Sequence, residues 1–279
     1  MAEQSNQPKL NRRVLMRSAL AATAAGLGAA VLPAGPATRP AHAQARKATF
    51  VLVHGAWHGG WCWQRMTPML RAAGHEVYTP TLTGLGERAH LGSEYTSLNT
   101  HITDIDSMMR MEDVKDVILV GHSYAGFVVT GAADRAPERV RMLVYVNAFV
   151  PENGKSLLDF VPPDRREAYE KPGREKGYFE TFPIASYAVT KPEDVAWVQP
   201  RITPRQSYRT FAQPLKLRGD LSKMPKAYVR CADPVYGPME PFAQRLKNAP
   251  GWKYVEASGG HDAMVTNPRS LADALLKLV

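Results

Sequence analysis

The 279-residue sequence predicts an α/β protein whose mostly parallel sheet carries helices on both faces and an inserted cap. From Ala48 onward, short β-branched runs alternate with helix-like patterns, which is typical of a parallel sheet. The run 49–53 is continuously apolar, as expected of a strand buried on both faces. The alternation stops over residues 151–225 and then resumes, so this segment is the predicted cap.

Four strands and two helices are expected before the cap. The predicted strands are 49–53, 76–79, 116–120 and 142–146. The predicted helices are 61–73, which stops at Gly74, and 97–112. The second of these is amphipathic, because its apolar residues recur at helical spacing: Leu98, Ile102, Ile105 and Met109.

The cap is rich in proline, charge and aromatic residues, and it lacks the strand rhythm. After it, strands are expected at 227–231 and 253–256, with a helix near 239–249. A final helix should begin with Asn267 as its N-cap and Pro268 in its first position. Residues 44–279 are therefore predicted to form one domain that contains the cap.

Residues 1–43 have the order of features found in a cleaved export signal. Arg12 and Arg13 form a twin-arginine pattern, a weakly apolar stretch covers 18–32, and Ala41-His42-Ala43 resembles a cleavage site. The apolar stretch is shorter than the roughly 20 residues that a bilayer span needs. We expect export to the periplasm or exterior without stable membrane insertion. A disordered basic tail and a single membrane anchor are the alternatives.

The net charge of +9 does not indicate a nucleic-acid partner. Five basic residues and one acidic residue lie within residues 1–43, so the remainder carries +5 without charge blocks. The cysteines, Cys62 and Cys231, are too few and too far apart to form a disulfide framework. No Cys-x-x-Cys pair is present, and we expect neither a metal nor a cofactor.

A serine in a strand-to-helix turn is the strongest chemical feature. The segment Val120-Gly121-His122-Ser123-Tyr124-Ala125-Gly126 follows a buried strand and precedes a helix. This is the context of a nucleophile elbow, in which a sharp turn exposes the serine hydroxyl. Small residues are needed two positions to either side, and Gly121 and Ala125 meet that need. Ser123 is the predicted nucleophile.

A serine nucleophile needs a base, and His261 is the predicted one. It follows Gly259-Gly260 in the loop between the last strand and the last helix. That loop lies at the carboxyl edge of the sheet, where ligand sites form in α/β proteins.

The acid that orients the base should lie between the serine and the histidine in the chain. Asp233 follows the strand at 227–231 and is the predicted acid, although a turn-forming Asp before proline would look the same. Glu152, after the fourth strand, is the alternative acid, and Asp220 is a weaker one. Asn147 lies nearby but cannot carry the charge.

The oxyanion hole is predicted from two backbone N–H groups. In this arrangement, one comes from the loop after the first strand and the other from the residue after the nucleophile. These are the N–H groups of Ala56 and Tyr124. The candidates for the substrate pocket are aromatic: Trp57, Trp61, Tyr187 and Trp197. The aromatic residues of the first loop fit the packing of the helix that follows equally well.

Three segments resemble a known family. The run Val53-His54-Gly55-Ala56-Trp57-His58-Gly59-Gly60-Trp61-Cys62-Trp63, together with 81–88 and 260–265, is similar to plant methylesterases and hydroxynitrile lyases. It is closer still to bacterial esterases such as the pyrethroid-hydrolase-like enzymes. The resemblance implies an α/β-hydrolase fold, esterase chemistry, and cysteines 62 and 231 that are packing residues without a bond. Bacterial relatives often carry Asp where this chain has Asn147.

The function expected from these features is hydrolysis of a small apolar or aromatic ester through an acyl-enzyme. A cyanohydrin lyase is one alternative, but plant lyases of one type carry Lys directly after the catalytic histidine, whereas Asp262 follows here. A ligand-binding module without turnover is the other. The oligomeric state is left open.

Overall fold

A computed structural model describes residues 47–279, so the predicted export signal at 1–43 lies outside the described residues. The strands, in chain order, are β1 Thr49–Val53, β2 Glu76–Tyr78, β3 Val117–His122, β4 Val140–Val146, β5 Tyr178–Glu180, β6 Arg205–Ser207, β7 Lys226–Cys231 and β8 Trp252–Ala257. The helices are α1 Thr67–Ala72, α2 Leu98–Met111, α3 Ala125–Arg135, α4 Pro163–Lys176, α5 Pro192–Val198, α6 Arg209–Ala212, α7 Glu240–Leu246, α8 Ala263–Thr266 and α9 Pro268–Leu276.

Six of these strands form a parallel sheet in the order β2-β1-β3-β4-β7-β8, which confirms the predicted fold class. Every residue of β3 is buried, as a strand covered by helices on both faces requires. Val53 pairs with Gly121, and Gly121 pairs with Tyr145. The carboxyl ends of β1, β3 and β4 therefore lie at one edge of the sheet, and the loops that follow them meet there.

The helix expected at 61–73 is interrupted. A short 3-10 turn at Gly60–Trp63 precedes α1, and Pro68 occupies the first turn of α1, where a missing N–H is tolerated. Helix α2 begins as predicted, with a capping box between Ser97 and Thr100. Asn267 caps α9 by accepting a hydrogen bond from the Ser270 N–H, also as predicted.

The segment 151–225 contains α4, α5, α6 and one antiparallel pair, β5 with β6. That strand pair was not expected, because each strand has only three residues and gives no period-two pattern. Phe179 at the centre of β5 is buried and stacks on Phe211 and Tyr169. Aromatic packing therefore holds the pair in place.

The apolar interior is continuous from the sheet to the surrounding helices. Cys62 and Cys231 are buried within it and are not bonded to one another. Within residues 47–279, no helix is long and apolar enough to cross a membrane.

Candidate active site

Ser123 lies in the sharp turn between β3 and α3. Its φ of 54° is in the left-handed region, which is strained for a residue other than glycine and is typical of a nucleophile elbow. Gly121 is required here, because a Cβ on it would lie 2.7 Å from the carbonyl oxygen of Ala125. A Cβ on Gly55 would lie 3.0 Å from Cβ of Ser123, so the loop after β1 approaches the turn closely.

His261 is hydrogen-bonded to the predicted nucleophile. Its Nε2 lies 3.0 Å from Oγ of Ser123, within the range of a general base and its proton donor. The carbonyl oxygen of His261 accepts a hydrogen bond from Nε2 of His122 at 2.9 Å, which fixes the loop before α8. The ring of Tyr236 stacks on the imidazole with a centroid separation of 3.9 Å. These contacts hold the ring in one orientation.

The structure corrects the predicted acid. The neighbour of His261 Nδ1 is the Nδ2 atom of Asn147, 2.9 Å away, in the turn that follows β4. Asp233 is exposed, because a bridge between Ala232 and Val235 closes a tight turn that leaves its side chain in solvent. Only its backbone N–H reaches the base loop, donating to the carbonyl oxygen of Gly259.

The alternative acid, Glu152, is also remote from the base. Its Oε1 lies 3.4 Å from Nη1 of Arg245, and 57% of its side chain is exposed. The weaker alternative, Asp220, is exposed and accepts hydrogen bonds from Ser222. The side chain in contact with Nδ1 of His261 is therefore a neutral amide.

Which end of the Asn147 amide faces the ring decides what His261 can do. An amide NH2 group would donate to Nδ1, and the ring proton would then sit on Nε2, where the Ser123 proton has to go. The amide oxygen, presented by a half-turn of the same side chain, accepts from an Nδ1–H group and leaves Nε2 free. General-base chemistry requires the second arrangement.

A buried carboxylate lies behind the base. Asp262 is fully buried, and its Oδ2 accepts a hydrogen bond of 2.9 Å from Nε2 of His58. Burial disfavours both charges, but their mutual attraction outweighs it, so the pKa of His58 is raised and that of Asp262 is lowered. His58 also donates from Nδ1 to the carbonyl oxygen of Ala56 at 2.7 Å. Both ring nitrogens of His58 therefore face acceptors, an arrangement that favours the imidazolium.

The ring nitrogens of His122 and His261 and a carboxylate oxygen of Asp262 lie within 4.8 Å of one another. Burial lowers the pKa of His122 to about 4, so its ring is neutral at pH 7. Burial holds the pKa of His261 well below its ordinary value. His261 Nε2 and His122 Nε2 already have hydrogen-bond partners, whereas His122 Nδ1 and Asp262 Oδ1 have none among the described residues.

Hydrogen bonds fix the loop that contains the predicted oxyanion donor, the Ala56 N–H. On one side, His58 donates to the Ala56 carbonyl oxygen; on the other, His54 donates to the Gly55 carbonyl oxygen. Nε2 of His54 accepts from the Leu82 N–H at 3.0 Å, so Nδ1 carries the proton and donates to the Gly55 carbonyl oxygen at 2.8 Å. That carbonyl belongs to the same peptide group as the Ala56 N–H. In the described part of the chain, the Ala56 N–H donates to no protein acceptor. The Tyr124 N–H lies before the first turn of α3, where N–H groups lack intrahelical partners.

A cavity of about 470 Å³ opens above Ser123 and His261. Nine of its 23 lining residues are aromatic: Trp57, Tyr124, Phe149, Phe160, Tyr169, Phe182, Tyr187, Phe211 and Tyr236. Of the four predicted pocket residues, Trp57 and Tyr187 line it. Trp61 and Trp197 do not, because they pack edge to face on each other with a centroid separation of 5.3 Å.

Two features of the site are not predicted from the sequence: Asn147 beside the base, and the pair of Asp262 with His58. Asn147 directly follows the strand next to that of the nucleophile, but an amide carries no charge and so does not match a triad acid. The sequence indicates Asp262 only as an anion beside the base, and its contact with His58 spans 204 positions of sequence. The position of Asn147, at the end of the strand next to that of Ser123, is a signal that could have identified it. No local sequence pattern indicates the contact between Asp262 and His58.

Comparison with known proteins agrees with this geometry. Residues 50–274 match the alpha/beta hydrolase family. The chain is 42% identical to the carbendazim hydrolyzing esterase of Nocardioides sp. (strain SG-4G) over 83% of its own length and 99% of that protein. It is 26% identical to salicylic acid-binding protein 2 of Nicotiana tabacum over 82% and 96% of the two chains.

Among solved structures, an extracellular alpha/beta-hydrolase from a Paenibacillus species superposes with a TM-score of 0.68 at 24% identity. The superposition covers 82% of this chain and 98% of that one. The predicted resemblance is confirmed, and the chain belongs to the alpha/beta hydrolase family.

Proposed function

We propose that this protein is a serine esterase that forms an acyl-enzyme on Ser123. The observation that carries the proposal is the 3.0 Å contact between Ser123 Oγ and His261 Nε2 at the floor of an aromatic cavity. Similarity to an esterase over nearly its full length supports hydrolase activity, and the residue roles are inferred from the geometry.

Acylation begins when Oγ of Ser123 attacks the ester carbonyl and its proton moves to Nε2 of His261. The N–H groups of Ala56 and Tyr124 stabilise the resulting oxyanion. The imidazolium then returns the proton to the departing alkoxide, which leaves as an alcohol. In the second half, Nε2 takes a proton from water as the water oxygen attacks the acyl carbonyl. The imidazolium then returns that proton to Oγ of Ser123, and the bond between Oγ and the acyl carbon breaks to release the acid.

The substrate class follows from the cavity lining. Aromatic faces on several sides suit a flat, apolar acyl or alcohol group. Arg165, an exposed residue of the lining, adds a positive charge to this surface. His58, the buried partner of Asp262, also lines the cavity. The Nocardioides relative is named for hydrolysis of carbendazim, an aromatic methyl carbamate. We therefore infer that this chain accepts aryl esters and aryl carbamate esters.

The test compares two benzoate esters, p-nitrophenyl benzoate and phenyl benzoate, hydrolysed in buffer with methanol as a competing acceptor. A shared benzoyl-enzyme partitions between water and methanol in a ratio that does not depend on the leaving group. We expect equal ratios of benzoic acid to methyl benzoate from both esters. Carbendazim hydrolysis extends the comparison to a carbamate, and it is measured by the release of 2-aminobenzimidazole.

A product ratio that changes with the leaving group would exclude a common acyl-enzyme. If the protein hydrolyses none of the three substrates, the two benzoates and carbendazim, the proposal that it is an esterase of aromatic substrates is overturned.

Export is proposed on separate grounds. The twin arginines and Ala41-His42-Ala43 lie outside the described residues, so this part of the proposal rests on the sequence pattern. The Paenibacillus structure is described as extracellular, which is compatible with it.

A further inference from the structure

We propose that Asp262 supplies the negative charge that stabilises the His261 imidazolium during catalysis, taking the electrostatic role of a carboxylate at Nδ1. This inference rests on the proposed function of Ser123 and His261. Asp262 does not touch the reacting atoms, so it acts through His261 as a positioning residue.

The group at Nδ1 of His261 is neutral. When His261 takes the Ser123 proton, a positive charge forms on a residue that is 3% exposed. A buried charge without a counter-charge is costly. Asn147 can orient the ring through its amide but offers no negative charge to it.

Asp262 is close enough to His261 to supply the missing negative charge. Its carboxylate lies within 4.8 Å of a ring nitrogen of His261, and the side chain is fully buried. At that distance and burial, solvent screens the attraction weakly. Its Oδ1 is 4.0 Å from Nε2 of His122 and has no hydrogen-bond partner among the described residues. One of its two oxygens is thus not committed to a bond.

His58, the partner of this carboxylate, does not cancel its effect on the base. Oδ2 receives the His58 N–H, and His58 in turn donates to Ala56, so both side chains are held in place. Within this pair, Asp262 affects the pKa of His261 more than His58 does, and in the direction that favours the imidazolium. The pair therefore presents a net attraction to the base.

The other titratable groups around the base do not supply a negative charge. His122 faces it from β3, and the rings of Tyr187 and Tyr236 stack on it. Burial raises the pKa of both tyrosines, so they stay neutral. Cys62 and Cys231 lie near Asp262, and burial raises the pKa of both thiols. Among the described groups that face His261, Asp262 is the carboxylate.

The experiment compares wild type, Asp262→Asn and the control Asp233→Asn, which removes an exposed carboxylate of a neighbouring loop. Hydrolysis of p-nitrophenyl acetate is followed against pH. In wild type, burial should place the acid limb of kcat/KM below the ordinary pKa of histidine. We expect Asp262→Asn to lower kcat by about tenfold to a hundredfold and to move this acid limb to still lower pH. Asp233→Asn should leave both unchanged.

A rescue variant separates charge from packing. Adding Asn147→Asp to Asp262→Asn places a carboxylate at Nδ1, and we expect kcat to recover to within about tenfold of wild type. Loss without rescue and without movement of the acid limb would show that Asp262 acts only through packing, and would overturn the proposal.

Asn147→Asp alone keeps the proposal testable if Asp262→Asn does not fold. Because Asp262 already supplies the charge, we expect a gain in kcat below about tenfold. A gain of a hundredfold or more would show that the native base lacks a counter-charge. If wild type shows no turnover, the proposed function fails. The imidazole titration of His261, read by NMR in wild type and Asp262→Asn, still tests the coupling.

Discussion

Replacing Ser123 or His261 by alanine lowers kcat for aryl ester hydrolysis by about 10⁴- to 10⁶-fold, and replacing both lowers it little further. The two side chains share one proton across 3.0 Å, so neither can act without the other. Activity that persists should come from substrate binding and the oxyanion N–H groups. Single-turnover kinetics on the three variants measure this non-additivity.

The matched control is His90→Ala, which removes an exposed histidine from a surface turn. It should retain wild-type kcat. Additive losses in the double variant would show that Ser123 and His261 contribute independently, which would contradict their joint role.

Replacing Gly126 by alanine should destabilise the fold by at least about 3 kcal/mol. The added Cβ would lie 1.9 Å from the carbonyl oxygen of Phe149, a backbone atom that cannot move aside by a rotamer change. The loop that carries Phe149 also carries Asn147, so the substitution should disturb the base as well. Urea unfolding, read as a midpoint and slope, measures the loss.

Gly131→Ala, in the same helix, is the control. Its Cβ would meet the side-chain ends of Ile102 and Leu215, which can adjust, so we expect a smaller loss of stability. Equal stability for Gly126→Ala and wild type would mean that the Phe149 loop does not pack on α3 as described.

Local backbone requirements explain why much of the site could be predicted from the sequence. Ser123 needs a small residue two positions before it and a strand-to-helix turn around it, and both requirements are visible in a seven-residue segment. His261 and Ala56 follow glycine in loops at strand ends, so the parallel topology alone brings them to one edge.

The side chain at Nδ1 of His261 was predicted wrongly, because the turn after β7 decides where the Asp233 side chain lies. Asp233 follows β7 as expected, but the bridge between Ala232 and Val235 leaves it in solvent and brings the ring of Tyr236 onto the base. Asn147 takes the place at Nδ1 by following the neighbouring strand, β4. The order of residues in the chain therefore predicted the correct edge of the sheet, but it predicted Asp233 where the structure has Asn147.

Only some features of the cap could be predicted from the sequence. Its aromatic composition correctly indicated an apolar pocket wall, and Tyr187 does line the cavity. Trp197 does not, because Arg65 and Arg201 lie over its ring and Trp61 packs against it. Which aromatic residues face the cavity depends on long-range contacts that no spacing rule describes.

Intact-mass analysis after treatment with a fluorophosphonate probe tests the central proposal, an activated Ser123, most directly. We expect one adduct per chain, mapped by peptide sequencing to Ser123 and absent from His261→Ala under the same conditions. An adduct on another residue, or full ester hydrolysis by a protein that forms none, would contradict it.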